Sequence, residues 1–179
     1  MTTPVDAALD RLVRDIPDFP QPGVVFKDIS PLLADPEGFA TTVTALADLA
    51  RRLAPDGVDA VVGIEARGFI LAAPVALALG AGFVPVRKAG KLPAETHEVS
   101  YALEYGEATL QIHTDGLHPG QRVLVVDDVL ATGGTVAATV ELVTRCGAQV
   151  SGVAVLLELS FLDGRSRLGS LNSDALRVV

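Results

Sequence analysis

VLVVDDVLATGGT, the segment Val123–Thr135, is the most informative part of this sequence. It begins with a short apolar run, which is typical of a parallel strand that is buried on both faces. Two acidic residues, Asp127 and Asp128, end this run, and a Thr-Gly-Gly-Thr turn then opens a segment with helical spacing. A strand that passes through a glycine turn into a helix is one unit of an α/β fold.

The glycine turn predicts a binding site for an anion. Gly133 and Gly134 allow the backbone to approach a ligand closely. The N–H groups at the start of the next helix carry the positive end of its dipole. A phosphate suits this position, whereas Asp127 and Asp128 would repel it and suit hydroxyl groups or a metal ion beside it. For the turn alone, an ordinary capped helix start is the commoner interpretation.

Strands and helices alternate along the chain, so the predicted fold class is α/β, with a mainly parallel twisted sheet flanked by helices. Strands are predicted at Ala60–Glu65, Phe83–Val86, Val123–Asp128 and Val150–Leu157, with an antiparallel hairpin of Val99–Glu104 and Ala108–His113. Helices are predicted at Val5–Arg14, from Asp35 with Pro36 at the first helical position, at Phe69–Leu79 and at Gly133–Cys146. Ligands of such sheets bind beyond the carboxyl ends of the strands.

The composition excludes several classes of protein. The chain has 179 residues, 49% of them hydrophobic, so it is too apolar for a disordered protein and one domain is the default. Lys and Arg number 14 against 22 Asp and Glu, and the net charge of −8 argues against a nucleic-acid partner. A single cysteine, Cys146, cannot form an intramolecular disulfide, and no secretory leader is recognisable. We therefore expect a reducing, cytoplasmic location.

Three other interpretations of glycine-containing segments fail. The uncharged stretch Phe69–Val86 is long enough for a membrane span. However, its prolines and glycines favour a buried helix that ends at Gly80 and is followed by a strand, so no membrane partner is expected. A Walker loop fails because Gly90-Lys91 is followed by Leu92. A dinucleotide turn fails because Gly80-Ala81-Gly82 is not followed by the third glycine.

The complete segment Val123–Thr135 resembles the phosphoribosyl-pyrophosphate (PRPP) motif of the type I phosphoribosyltransferases. In that family the two acidic residues bind the ribose hydroxyl groups, and the loop holds the 5′-phosphate. The resemblance therefore assigns Asp127 and Asp128 to the ribose. It assigns the phosphate to Ala131, Thr132, Gly133, Gly134 and Thr135. It also implies a single domain over residues 1–179, in which residues 1–34 form a small N-terminal hood rather than an independent domain.

Three further segments resemble the branch of this family that acts on adenine. They are FPQPGVVFKDISPLL (Phe19–Leu33), VVGIEARGF (Val61–Phe69) and RKAGKLPAETHEVSYALEYGEATLQIH (Arg87–His113). The resemblance implies a pentosyltransferase of purine salvage, which converts adenine and PRPP into AMP and pyrophosphate. Two alternatives remain at this point: a phosphoribosyltransferase for another base, and a regulatory PRPP-binding protein without catalysis.

Basic residues form the predicted pyrophosphate site. Arg67 follows a predicted strand, where a guanidinium and backbone amides suit an anion, and three basic residues lie within Arg87–Lys91. A surface arginine and a solvated charge run are the alternatives. The resemblance assigns the pyrophosphate to Arg67, Arg87, Lys88 and Lys91. Mg²⁺ is expected to arrive with the substrate, because it binds through substrate phosphates rather than a protein cage, and no protein ligand is predicted with certainty.

The predicted catalytic residues lie at the end of the hairpin. In the family this loop carries the catalytic glutamate, so the resemblance makes Glu104 the acid–base candidate and Tyr105 its loop partner. From the residues alone, Glu104 is more simply a solvated carboxylate at a hairpin end. The polar segment Lys91–Glu98 is expected to be mobile, and Lys91–Glu104 as a whole is expected to act as a lid that excludes water.

The resemblance places the adenine-binding residues near the N-terminus. It implies that Phe26 stacks on the base, that backbone groups of Val25 and Lys27 read the base edge, and that Leu159 lies on its far side. Phe26 as an ordinary core residue is the alternative. Position 27 is commonly arginine in the family, so lysine here weakens a role for the side chain. The resemblance further suggests a homodimer.

Overall fold

The computed structural model describes residues 3–102 and 107–179. The chain divides into two compact units, Met1–Ala45 and Leu46–Val179. Helix α3, Pro36–Leu53, begins in the first unit and ends in the second. Its start agrees with the prediction, since Pro36 is its first residue and the Asp35 carboxylate accepts a hydrogen bond from the N–H of Gly38 at 2.7 Å.

The first unit combines short helices with one small antiparallel sheet. Its elements before α3 are α1 (Pro4–Leu12), β1 (Arg14–Pro17), β2 (Val25–Asp28) and α2 (Ser30–Ala34). Thr3 and Asp6 form a capping box at the start of α1, so this helix begins one residue earlier than predicted. Strands β1 and β2 were not predicted, because four residues are too few to show an alternating pattern.

The second unit is a seven-stranded sheet with helices. Its strands are β3 (Ala60–Ile64), β4 (Gly82–Lys88), β5 (Thr96–Ala102), β6 (Glu107–His113), β7 (Arg122–Leu130), β8 (Gln149–Glu158) and β9 (Ser173–Val178), in the order β5-β6-β4-β3-β7-β8-β9. Helices α4 (Arg67–Leu79) and α5 (Gly134–Arg145) and two 3-10 turns, Ser160–Leu162 and Gly164–Leu168, complete it. Pairs among β4, β3, β7, β8 and β9 are parallel, and only the pairs that involve β6 are antiparallel. The predicted fold class is confirmed.

Apolar runs place β3 and β7 at the centre of this sheet. All five residues of β3 are buried, as are Val123–Val126 of β7, which is the pattern of a parallel strand covered on both faces. Pro85 lies inside β4, where it pairs with Gly63 of β3. It is tolerated because β6 pairs with β4 only from Arg87 onward, so the missing N–H of the proline interrupts no bond on that side.

Helix α4 confirms the predicted buried helix followed by a strand. It ends at Gly80, which has a left-handed backbone (φ +68°), and β4 starts two residues later. Within the described parts of the chain, the structure contains no helix with both the length and the apolar character of a membrane span.

The predicted lid over Lys91–Glu104 contains a paired strand, Thr96–Ala102, and its role as a lid stays a prediction. These seven residues form β5, and every one of them pairs with a residue of β6. Val99 is buried, and the hydroxyl groups of Ser100 and Thr109 are hydrogen-bonded across the pair at 2.7 Å. Cross-strand pairs of this kind stabilise a segment whose own sequence is mostly polar. Strand β9 was also not predicted.

Candidate active site

The turns after β3 and β7 lie side by side, because these two strands are adjacent and parallel. Asp127 and Asp128 are near the carboxyl end of β7, where the Asp127 carboxylate accepts a hydrogen bond from the N–H of Asp128 at 2.9 Å. Burial, together with the neighbouring Asp128 carboxylate, raises the pKa of Asp127 well above its usual range. Burial also raises the pKa of Asp128, although the guanidinium of Arg67 acts in the opposite direction.

Arg67 provides the positive charge at this pair. It is the first residue of α4, and its Nη2 lies 2.7 Å from Oδ2 of Asp128. Asp128 is only 6% exposed, so water cannot stabilise its carboxylate. The positive charge of the Arg67 guanidinium stabilises it instead. The structure therefore brings together residues that the sequence assigned to two different groups of the substrate, the ribose and the pyrophosphate.

Gly68 lets the two turns approach each other. A Cβ atom on Gly68 would lie 2.7 Å from Oδ1 of Asp127 and 3.1 Å from the carbonyl oxygen of Val126. The first distance is shorter than real Cβ contacts, so a larger residue here would force the Asp127 carboxylate or the turn to shift. Gly68 belongs to the segment Val61–Phe69, but its contact with Asp127 has no local signal in the sequence.

The predicted phosphate loop lies directly after β7. Gly133 has a left-handed backbone (φ +79°) and caps α5, whose first residues are Gly134 and Thr135. An open pocket of about 70 Å³ includes Asp127, Ala131, Thr132, Gly133 and Thr135 in its lining. The loop and the first carboxylate thus face a common space, which is the arrangement expected for a sugar phosphate.

Tyr101 of β5 packs against this helix start. Its hydroxyl group is 3.0 Å from that of Thr135, and its ring would lie 3.1 Å from a Cβ atom on Gly134. No sequence pattern predicts a role for Tyr101, because the contact joins residues that are 34 positions apart. The tyrosine therefore limits the positions available to the Thr135 side chain.

The predicted pyrophosphate residues on β4 are organised by Glu65. Its carboxylate accepts hydrogen bonds from Nε of Arg87 and from the N–H of Lys88, each at 3.1 Å. Burial opposes the ionised form of Glu65, but these hydrogen bonds outweigh it and lower its pKa. Arg87 also donates to the carbonyl oxygen of Lys91 at 3.1 Å. The side chains of Lys88 and Lys91 are exposed.

Gln111 supports the turn between Lys88 and Lys91. Its side-chain oxygen accepts a hydrogen bond from the N–H of Gly90 at 2.8 Å, and its amide donates to the carboxylate of Glu98. Gln111 is only 7% exposed. Neither Glu65 nor Gln111 was assigned a role from the sequence, since each acts through strands that become neighbours only in the folded sheet.

The predicted adenine-binding residues lie in both units. In the first unit, the ring of Phe26 meets that of Phe19 edge to face, with 5.2 Å between centroids. Nζ of Lys27 donates to both carboxylate oxygens of Asp15, its partner across β1 and β2, at 2.7 and 2.9 Å. In the second unit, Leu159 follows β8, and its N–H donates to the carbonyl oxygen of Leu130 at 2.9 Å.

Glu104 and Tyr105, the predicted catalytic residues, lie outside the described residues. Over residues 3–102 and 107–179, no group of three or more His, Cys, Asp or Glu side chains is arranged to hold a metal ion. Asp127 and Asp128 are two neighbouring carboxylates, and Asp128 already contacts Arg67. Such a pair offers few oxygen ligands to a metal ion, which fits a cation that its substrate holds for the most part.

The sheet, the carboxylate pair and the glycine loop together define a phosphoribosyltransferase. The family model described as phosphoribosyl transferase domain matches residues 32–179. The chain therefore belongs to this family, as its PRPP motif predicted.

Similar proteins define the branch of the family. The adenine phosphoribosyltransferase of Thermobifida fusca is 59% identical over 179 residues, which is 100% of both chains. The structure resembles that of the adenine phosphoribosyltransferase of Thermoanaerobacter pseudethanolicus, with a TM-score of 0.90, 46% identity, and coverage of 97% of this chain and 99% of that one. The Saccharomyces cerevisiae enzyme, complexed with an imino-altritol bisphosphate and adenine, has a TM-score of 0.92, 38% identity, and coverage of 97% and 98%. The predicted branch of the family and the predicted enzyme class are confirmed.

Proposed function

We propose that this protein transfers the phosphoribosyl group of PRPP to adenine, which yields AMP and pyrophosphate. The observation that carries the proposal is the adjacency of Asp127 and Asp128 to the glycine loop at the carboxyl end of β7. Relatives that match along the whole chain are adenine phosphoribosyltransferases, which favours adenine as the base. In the reaction, the bond from ribose C1 to pyrophosphate oxygen breaks, a bond from C1 to adenine N9 forms, and the N9 proton leaves.

The ribose 5-phosphate part of PRPP is proposed to bind at β7 and α5. Asp127 and Asp128 accept hydrogen bonds from the ribose hydroxyl groups. Backbone N–H groups of the loop Ala131–Thr135 donate to the 5′-phosphate, which gains from the positive end of the α5 dipole. Asp128 must exchange part of its contact with Arg67, at 2.7 Å, for the ribose hydroxyls. That exchange frees the guanidinium for the negative leaving group.

The pyrophosphate is proposed to bind Arg67, Arg87, Lys88 and Lys91. Glu65 holds Arg87 and the backbone of Lys88 in place, while the exposed ammonium groups of Lys88 and Lys91 can reach an anion. These cations stabilise the charge that develops on the leaving group. Mg²⁺, brought in with PRPP, would add to this neutralisation.

Adenine is proposed to bind Val25, Phe26, Lys27 and Leu159, with residues 1–34 as the base-binding segment of one phosphoribosyltransferase domain. The yeast relative was solved with adenine bound. The two hydrogen bonds from Lys27 to Asp15 engage its ammonium group, which favours reading of the base by backbone groups. Adenine has a hydrogen-bond donor at C6 and an acceptor at N1, whereas hypoxanthine and guanine have the reverse. Backbone N–H and C=O groups placed for adenine would therefore face a donor with a donor and an acceptor with an acceptor.

Glu104 is proposed as the acid–base residue, with Tyr105 beside it. The transition state has oxocarbenium character, and a carboxylate at the reacting centre assists proton transfer from adenine. We expect Glu104→Gln to lower kcat by about 10²- to 10⁴-fold with little change in PRPP affinity. A decrease of less than about fivefold in the single-turnover rate would return Glu104 to the role of a solvated hairpin residue.

The homodimer and the cytoplasmic location are also part of the proposal. Exposed apolar side chains on α4 and β4, Ile70, Leu77 and Phe83, supply surface that a second copy could cover. The free thiol of Cys146 suits a reducing compartment. Sedimentation of the protein and of Leu77→Glu tests the dimer, because a charge in the interface would shift the mass toward the monomer.

A pyrophosphate-release assay with PRPP and a panel of bases tests the activity. We expect kcat/KM for adenine to exceed the values for hypoxanthine and guanine by up to about 10⁴-fold, since two buried groups would be mismatched. Hypoxanthine or guanine within tenfold of adenine would indicate a phosphoribosyltransferase for another base. Binding of PRPP without release of pyrophosphate for any base would indicate a regulatory protein.

A further inference from the structure

The phosphate loop rests on a second glycine. Gly133 in the loop and Gly164, the first residue of a 3-10 turn, face each other with their backbones in contact. A Cβ atom on Gly133 would overlap the carbonyl oxygen of Gly164, and one on Gly164 would overlap the carbonyl oxygen of Ala131. Both glycines are buried. The position of Gly164 therefore limits where the backbone of the phosphate loop can lie.

Arg165, the next residue, ties this turn to the sheet. Its Nε donates to both carboxylate oxygens of Glu158, at 3.0 and 3.2 Å, and its Nη2 also contacts that carboxylate. Its Nη1 donates to the carbonyl oxygen of Ser173 at 2.5 Å. Glu158 ends β8 and Ser173 begins β9, so one guanidinium joins the turn to two neighbouring strands.

Glu158 is a buried carboxylate for which the reaction described above has no use. It is 6% exposed, and Asp174, at 3.7 Å from Nη2 of Arg165, is the other acidic group beside this guanidinium. A buried carboxylate requires a partner charge, because water cannot stabilise it there. The planar guanidinium satisfies it with two parallel bonds, a geometry that a lysine cannot reproduce.

We propose that Arg165 and Glu158 are a positioning pair for the 5′-phosphate loop, acting through the contact between Gly164 and Gly133. The inference rests on the proposed function, because it concerns the phosphate of that same substrate. Neither side chain touches the substrate. The pair holds Gly164 in place, and Gly164 sets the direction of the loop N–H groups that bind the phosphate.

The pyrophosphate side of the site has a separate support. There Glu65 and Gln111 hold Arg87, Lys88 and Gly90 through their own hydrogen bonds. Loss of Arg165 should therefore weaken the binding of a ligand that uses the 5′-phosphate loop and leave the binding of pyrophosphate nearly unchanged. General loss of structure would weaken both.

The test compares Arg165→Gln and Arg165→Lys with the wild type and with a matched control. Arg122→Gln is that control, since it removes another arginine that bonds a carboxylate, that of Asp59, at the start of β7. Calorimetry measures the Kd of ribose 5-phosphate and of Mg-pyrophosphate. Steady-state assays measure KM for PRPP and kcat.

For Arg165→Gln we expect the Kd of ribose 5-phosphate and the KM for PRPP to rise about tenfold, the size of a lost charged hydrogen bond. The Kd of pyrophosphate and kcat at saturating PRPP should stay within about threefold. Arg165→Lys keeps the charge and should recover part of the affinity. Arg122→Gln should bind both ligands as the wild type does.

Two results would overturn the positioning role: ribose 5-phosphate binding by Arg165→Gln that equals the wild type, or equal losses for both ligands. If Arg165→Gln does not fold, Arg165→Lys and Glu158→Gln provide the same comparison. Failure of the wild type to bind ribose 5-phosphate would instead reject the proposed function, and the positioning role with it. If the wild type binds ribose 5-phosphate and the variants bind it equally well, only the positioning role is rejected.

Discussion

Two Asp–Arg ion pairs lie at opposite ends of the same pair of strands, β3 and β7, and they differ in character. At the amino ends, Asp59 precedes β3 and Arg122 begins β7. At the carboxyl ends, the order is reversed, with Arg67 after β3 and Asp128 in β7. The shortest N–O distance is 2.7 Å in both pairs. Their pKa shifts have opposite signs, because hydrogen bonds from Arg122 lower the pKa of Asp59 to about 2, whereas burial raises that of Asp128.

Exposure and neighbours explain this difference. The Asp59 side chain is 34% exposed and accepts three hydrogen bonds from Arg122, so its charge is well stabilised. The Asp128 side chain is 8% exposed, and it lies beside a second carboxylate, that of Asp127. One end of the strand pair is thus arranged for stability. The other holds charges that the protein alone stabilises poorly, as expected for a site completed by a ligand.

The largest expected effect is on catalysis at the carboxyl end. Asp127→Asn and Asp128→Asn should each lower kcat/KM for PRPP by about 10- to 100-fold, since a charged hydrogen-bond acceptor contributes about 1.5–3 kcal/mol. Steady-state kinetics at varied PRPP measures this. Asp59→Asn is the matched control at the amino end and should remain within about twofold of the wild type. Wild-type PRPP kinetics in both site variants would remove the proposed ribose role.

A methyl group on Gly68 should disturb the carboxyl end more mildly. In Gly68→Ala the new Cβ atom would meet Oδ1 of Asp127 at 2.7 Å, so the carboxylate or the turn must shift. We expect about a tenfold increase in KM for PRPP. Gly82→Ala is the control, because its Cβ atom would meet only the carbonyl oxygen of Asp59, at 4.0 Å. Equal kinetics in the two variants would show that the approach of the turns is not required.

The stability of Asp127→Asn should change in the direction opposite to its activity. Because the pKa of Asp127 is raised in the folded state, its ionisation costs stability at every pH above its ordinary value. We expect the variant to be more stable at pH 7 by about 1 kcal/mol, measured by urea unfolding. The advantage should shrink as the pH falls through 3.8, because below that pH the carboxyl is protonated in both states. A less stable variant at pH 7 would contradict the assignment.

The smallest effect is expected for the pH dependence of the amino-end pair. The pKa of Asp59 is lowered from 3.8 to about 2, so its stabilising contribution is complete above 3.8 and is lost as the pH falls to about 2. Asp59→Asn should therefore be less stable than the wild type at pH 7, and the difference should disappear across that range. Thermal unfolding at several pH values measures it. A difference that does not shrink as the pH falls from 7 to 2 would argue against an electrostatic origin.

Local sequence predicted the elements that lead into the site. The apolar run before Asp127, the glycines after it and the helical spacing that follows are all within Val123–Thr135, so they did not depend on the rest of the chain. The start of α3 at Pro36 was predictable for the same reason. Strands β1, β2 and β9 were not predicted, since short or partly exposed strands depend on their neighbours more than on their own residues.

The sequence by itself determined the α/β class, the glycine loop after β7 and the identity of the carboxylate pair, because each depends on local patterns along the chain. Only the tertiary structure decided which charges meet. It placed Arg67 on Asp128, Glu65 between Arg87 and Lys88, and Gly164 against Gly133. These contacts arise because parallel strands that are distant in sequence end at one edge of the sheet. No local pattern encodes which ends will be neighbours.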